Sequence, residues 1–233
     1  PQFFTIANNV WNTIQEPITK DMIQGNYEIN ELIQEKEEDI GKYYISETES
    51  QLLESNGLRK LHNYIKTKLI SGVCSLMKHP IKIMDLSFGQ GGDVQKYVNR
   101  EIQCSLLVGL DISSNIHEAC RRFYKLEDRF KGNTKGVFFR ADTSQNIQNG
   151  ECVFIDGILD EERKHSETMI NILYGNNKPL PKAYEKVSRN YNGLVKNGFD
   201  LISSQFSMHY YFEKEEVFNG FLQNIKENIK TGG

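Results

Sequence analysis

Three aspartates stand where an apolar run gives way to a loop: Asp85, Asp111 and Asp142. The first closes Ile81-Lys82-Ile83-Met84 and leads into Leu86-Ser87-Phe88-Gly89-Gln90-Gly91-Gly92-Asp93. Glycine permits φ > 0 and a close approach of backbone to ligand, and an acid beside such a loop suits a ligand bearing a cationic amine. Asp111 closes the run Leu106–Asp111, 20 positions after Gly91. At that offset a second-strand acid meets ribose hydroxyls in nucleotide-binding βαβ units. Asp111 also reads as a turn residue, because Ser113 and Ser114 can cap a following helix. Asp142 follows a third run, Gly136–Arg140. One elongated ligand with an amine, a ribose and a base could meet the three acids in turn. A fourth run, Asp200–Gln205, opens into Phe206-Ser207-Met208-His209-Tyr210. Aromatic and imidazole groups gathered after a strand end favour a binding site over core packing.

The elements that would position these residues alternate. Leu58, Leu61, Ile65, Leu69, Ile70, Val73 and Met77 recur at helical spacing, which predicts a long helix through about Lys78, capped by Ser55 or Asn56. Helices are expected near 92–101, over 115–130 and over Glu213–Ile229, between strands ending at Asp85, Asp111, Arg140 and Gln205. A β-α-β-α-β-α-β-α order predicts an α/β fold with a doubly wound, mostly parallel sheet. Right-handed crossovers place all strand ends on one rim. Within 143–198 only Glu161–Tyr174 and Lys182–Val195 look helical. By the measure of a minimal α/β unit this is an insertion, expected to be partly mobile.

The chain has 233 residues, 38% hydrophobic and 25% charged, with a net charge of −3. That suits a globular domain with a sizeable core. Any nucleic-acid contact must then use local basic patches. No apolar run reaches the roughly 20 residues of a membrane span, and no signal peptide is seen. Cys74, Cys104, Cys120 and Cys152 lack metal-ligand spacing and read as reduced thiols of an intracellular protein. Residues 1–27 (with Phe3, Phe4, Trp11 and Pro17) read as a connector or as a helix capping this domain. Residues 28–55 read as a charged helix or linker, and 56–233 as the main domain. Because a helix before Gly232-Gly233 normally turns into a further strand, the segment is expected to be cut from a longer polypeptide and to lack its last strands.

Three motifs coincide: LHNYIK (Leu61–Lys66), DLSFGQGGD followed by VGLDIS, and FDLISSQFSMHY (Phe199–Tyr210). Together they resemble the mRNA cap guanine-N7 methyltransferase family, Rossmann-like class I S-adenosylmethionine enzymes, over about 56–142 and 199–233. The leading stretch is similar to the connector after the guanylyltransferase domain in multifunctional capping enzymes of large DNA viruses. The resemblance implies S-adenosyl-L-methionine as cofactor. Lys66, Asp85, Gly89 and Asp93 would lie at its methionine end, Asp111 at the ribose hydroxyls, Asp142 at the adenine amine and Gln205 alongside. It implies a cap side formed by His62, Asn63, Gln90, Arg121, Phe206, His209 and Tyr210. Arg121, Arg122 and Lys125 are further candidates for phosphates, or a solvated helix face.

The loop departs from the family's Gly-Cys-Gly-Lys-Gly-Gly-Asp. Ser87 replaces a glycine, Phe88 adds bulk where backbone must approach ligand, and Gln90 replaces a lysine near the cap phosphates. The acid that reads the guanine edge and its tyrosine partner would fall beyond Gly233. The resemblance further implies capped RNA (GpppRNA) as substrate and guanylyltransferase and triphosphatase domains in the same polypeptide. It leaves room for a stimulatory subunit, and implies a location in the host cytoplasm, at a viral factory, or in the virion. Two other readings stay open: a methyltransferase with a different substrate, and a catalytically silent scaffold that binds a partner. A nicotinamide dehydrogenase fits GQGGD poorly.

Overall fold

The computed structural model describes residues 53–99, 101–130, 134–176 and 178–231. The expected connector 1–27, and the linker as far as residue 52, lie outside the described residues. The chain divides into two compact units, Pro1–Leu69 and Ile70–Gly233. Helix α1 (Leu53–Ser75) runs from the first into the second. Its start at Leu53 precedes the expected cap by a few residues.

The second unit is built on a four-stranded parallel sheet of order β3-β2-β1-β4. Its strands are β1 (Ile81–Asp85), β2 (Cys104–Asp111), β3 (Lys135–Arg140) and β4 (Leu201–Ser203). The chain steps outward from β1 to β3 and then returns to the other side of β1. The sheet therefore has a switch point between β1 and β4, where open α/β sheets bind ligands. Asp85 pairs with Ser203 and with Gly109 in the two ladders that flank β1, so three strand ends share one rim.

Period-two alternation divides the strands between two apolar layers. Ile81, Ile83, Leu107 and Phe138 face one layer, with Ile70 and Cys74 of α1, Tyr97 of α2 (Val94–Tyr97), and Ile116, Ala119 and Phe123 of α3 (Ile116–Phe130). Met84, Leu106, Val108, Leu110, Val137 and Phe139 face the other. There they meet Met169, Ile170, Ile172 and Leu173 of α4 (Asp160–Tyr174) and Phe221 of α7 (Glu215–Asn228). Burial on both faces is why these strands read as near-continuous apolar runs. Between β4 and α7 lies the short helix α6 (Met208–Tyr211).

Residues 143–198 are the β3–β4 crossover, not an appendage. Asp160, Glu161 and Glu162 in the first turn of α4 meet the positive end of its dipole. Gly175 closes it at φ 72°, donating to Ile172 O while Asn176 donates to Asn171 O, the two bonds of a Schellman stop. The second expected helix shrinks to a 3-10 turn (Lys182–Tyr184) and α5 (Glu185–Tyr191). The helix expected near 92–101 is the single turn α2. At Ile229 the chain pairs in parallel with Phe199 beside the start of β4.

Candidate functional site

The three strand-end acids adopt one local geometry, because each is followed two residues later by a serine. Asp85 Oδ1 accepts from Ser87 N–H at 3.0 Å, Asp111 Oδ1 from Ser113 N–H at 2.9 Å, and Asp142 Oδ1 from Ser144 N–H at 2.9 Å. The hydroxyls of Ser113 and Ser144 add bonds of 2.6 and 2.7 Å to the same oxygens. This Asx turn is a local alternative to continued strand pairing. It ends each strand and fixes the carboxylate at the rim.

What remains on each second oxygen differs. Asp85 is 1% exposed, and its Oδ2 accepts from the Tyr97 phenol at 2.7 Å. Burial, then the Asp85 and Asp93 charges, push that phenol well above its ordinary pKa, so Tyr97 stays protonated and donates. Ser203 Oγ lies 2.8 Å from the same phenol and accepts from Gln205 Nε2 at 3.0 Å. A hydroxyl with one proton then donates to Tyr97, giving the chain Gln205–Ser203–Tyr97–Asp85. Asp85 is an internal anchor. Asp111 Oδ2 accepts from Gly89 N–H at 2.7 Å, tying the glycine loop to the second strand. Asp142 Oδ2 takes no hydrogen bond among the described residues.

The loop itself is shaped by space. Gly89 and Gly91 have φ of 53° and 76°. A Cβ on Gly91 would lie 2.9 Å from the Ala119 backbone, whereas one on Gly89 would meet only Asp111 Oδ2, at 3.9 Å. The loop is thus pressed onto α3 at Gly91 and open at Gly89. Phe88, expected to crowd the ligand, points away from it. The ring is 5% exposed, stacks on Phe138 at 5.1 Å, and fills the space over Gly109 that any side chain there would take. Asp93 and Lys96, both buried, pair at 2.8 Å. The ammonium compensates the charge of the buried carboxylate.

At the end of β4 the backbone is unusual. Phe206 sits at φ 59° with a 55%-exposed ring. Left-handed geometry costs a residue with a Cβ about 1–2 kcal/mol, and such strain gathers at functional sites. His209 and Tyr210 follow with ring centroids 4.0 Å apart, Tyr210 69% exposed. Tyr211 turns inward, and its hydroxyl joins Thr143 Oγ1 at 2.7 Å and Leu86 O at 3.2 Å.

Gln90 is exposed at the loop tip. Arg121 points outward and pairs with Glu118 at 2.7 Å, while Arg122 is buried against the same carboxylate. The structure joins Gln205 to Asp85 through Ser203 and Tyr97, and Gly89 to Asp111 directly, as two separate sets of hydrogen bonds. His62, Asn63 and Lys66 belong to the first unit, and their assignment rests on the resemblance alone.

Sequence reasoning missed three positions. Ile112, directly after Asp111, is exposed, an aliphatic face beside the acid. Its only sequence signal is an apolar residue where a turn should be polar. Arg140 donates to Ile112 O at 3.0 Å and to Gly157 O at 2.9 Å, clamping two rim loops. Asn224 of α7 is 2% exposed and holds the loop after Asp142, donating to Thr143 O and Gln145 O and accepting from Ile147 N–H. Nothing in the local sequence marks a polar residue on a helix as a loop clamp.

The parallel sheet, its switch point and the glycine loop between strand-end acids define the α/β architecture of a class I methyltransferase. Residues 30–233 match the mRNA (guanine-N(7))-methyltransferase domain, and the chain belongs to that family. It is 29% identical over 98% of its length to a probable mRNA-capping enzyme of Acanthamoeba polyphaga mimivirus. It is 26% identical over 97% of its length to an mRNA cap guanine-N(7) methyltransferase of Debaryomyces hansenii, and 29% over 65% to one of Lodderomyces elongisporus. The chain spans 18%, 40% and 22% of those three proteins, respectively.

Proposed function

We propose that this chain is the methyl-transfer domain of a viral mRNA-capping enzyme and converts GpppRNA to its N7-methylguanine form. One observation carries the reading: the Asp111–Gly89 cradle and the strained, exposed Phe206–Tyr210 turn face the same rim across the β1–β4 switch point, in a chain of the guanine-N7 family.

The residues present fit S-adenosylmethionine. A carboxylate has about four acceptor sites, and Asp111 spends three on Gly89 and Ser113. One site therefore remains for a ribose hydroxyl, and rotation of the Ser113 hydroxyl would free a second. The open space beside Gly89 admits the ligand's backbone-proximal part. Asp142 Oδ2 is available to an exocyclic amine, and Ile112 offers an apolar wall to a purine. Asp85 would supply negative charge near a cationic amine, Asp93 is neutralised by Lys96 and holds the loop instead, and the resemblance alone assigns the carboxylate to Lys66. The cofactor supplies a methyl group already activated on a sulfonium.

Guanine N7 has an in-plane lone pair and loses no proton, so no residue here has to act as a base. What the protein supplies is alignment, which can contribute about 7–11 kcal/mol. Phe206 and Tyr210 present aromatic faces to the guanine, and His209 offers a ring nitrogen to its edge. The resemblance alone assigns His62 and Asn63 to the cap side, and Gln90 and Arg121 to the phosphates. Guanylyltransferase and triphosphatase domains in the same polypeptide are the natural source of the substrate. The small share of the mimivirus capping enzyme that this chain spans supports that arrangement. Unpaired cysteines accord with a reducing compartment, the host cytoplasm, or with packaging in the virion. Transfer of labelled methyl to GpppRNA by the full-length polypeptide tests the reading.

A further inference from the structure

Ser87 lies in the loop after β1, and Ser207 directly follows the left-handed Phe206. Their hydroxyls meet: Ser207 Oγ donates to Ser87 Oγ at 2.7 Å, and Ser204 Oγ lies 2.7 Å from Ser207 Oγ and 3.4 Å from Ser87 Oγ. The three hydroxyls thus form a ring with two short sides that meet at Ser207, and the 3.4 Å side is too long to contribute much. Ser207 is 8% exposed, which limits water as a replacement partner. Ladder pairing of β1 and β4 stops at Asp85 and Ser203, with Leu86 N–H donating to Ser203 O just beyond. Past that point the ring ties the Phe206 turn to the glycine loop. On the loop side Ser87 is rigid, because its N–H is held by Asp85. A residue with an unfavourable φ keeps it only where its surroundings over-determine it, and Ser207, the next residue, is one tie that holds the turn.

We propose that Ser87 is a positioning residue for the acceptor. Through Ser207 it fixes the Phe206 turn, and with it the aromatic face on which the guanine stacks. The inference rests on the methyl-transfer reading.

The test compares wild type, Ser87→Ala, Ser207→Ala, the double variant and Ser87→Thr in the full-length polypeptide, with thermal melts to confirm folding. Readouts are KM and kcat on GpppRNA and the calorimetric Kd of S-adenosylhomocysteine. Loss of the Ser87–Ser207 hydrogen bond, common to both alanine variants, predicts a KM increase of roughly three- to tenfold, with kcat and the S-adenosylhomocysteine Kd changing by less than about twofold. The double variant should be no worse than a single one, since both break the same ring. Ser87→Thr keeps the hydroxyl and should restore KM. Unchanged KM, multiplicative singles, or a loss of S-adenosylhomocysteine affinity matching the rise in KM overturns the proposal. A wild type that binds S-adenosylhomocysteine but leaves GpppRNA unmethylated instead refutes the methyl-transfer reading itself.

Discussion

Asp111 holds the glycine loop through one carboxylate oxygen, and in the proposed reading its remaining acceptor site serves a ribose. Replacing it with alanine removes both, along with three charge-assisted bonds inside the protein. Asp111→Ala should weaken S-adenosylhomocysteine binding by about 2–3 kcal/mol, roughly 30- to 150-fold. Unchanged affinity by calorimetry would remove the ribose assignment. At this scale the sequence was informative about acids and glycines, because their chemistry is local. Asp85, Asp111 and Asp142 all stand at strand ends, as expected from the runs before them. It was uninformative about Phe88, whose direction depends on Gly109 lying opposite in the neighbouring strand. A cross-strand partner is set by register, which no single stretch of chain reveals. The serine after each acid was visible as DLS, DIS and DTS, but only the bonds show that the three are one repeated turn.

Among the elements, the strands and the longer helices were legible because their apolar periodicity is strong. The short ones were not. The expected helix near 92–101 is one turn, and β4 pairs over only three residues before serines divert it. The crossover 143–198 looked like an insertion because its buried residues alternate with charged ones and prolines break it, yet α4 supplies four side chains to the core. The loop bearing Asp142 has its anchor 82 residues away, in Asn224 of α7. Removing that amide strands one buried N–H and leaves two carbonyls without their partner. Asn224→Ala should therefore destabilise the fold by about 2–4 kcal/mol. A lower denaturation midpoint with an unchanged slope is the expected signature. A midpoint equal to wild type would mean that the loop holds itself.

Taken whole, the second unit is a sheet whose core is sealed and whose rim is polar, and that contrast sets its response to pH. Burial pushes the Cys104 and Cys152 thiols from 9.0 up to about 12 and raises the Tyr97 phenol as well. The folded state therefore holds these protons more tightly than the unfolded chain. Their contribution is fully present below about pH 9 and is lost as pH rises towards 12. Unfolding free energy measured with denaturant should fall steadily across that range, and a flat profile would contradict the burial of these groups.

The proposed methyl transfer takes place at the rim joining Asp111, Gly89 and the Phe206 turn. Its most direct test offers the full-length polypeptide labelled S-adenosylmethionine with GpppRNA or with m7GpppRNA. Label is expected in the first RNA, recovered as 7-methylguanine in the cap, with almost none in the second. Equal incorporation into both would contradict it.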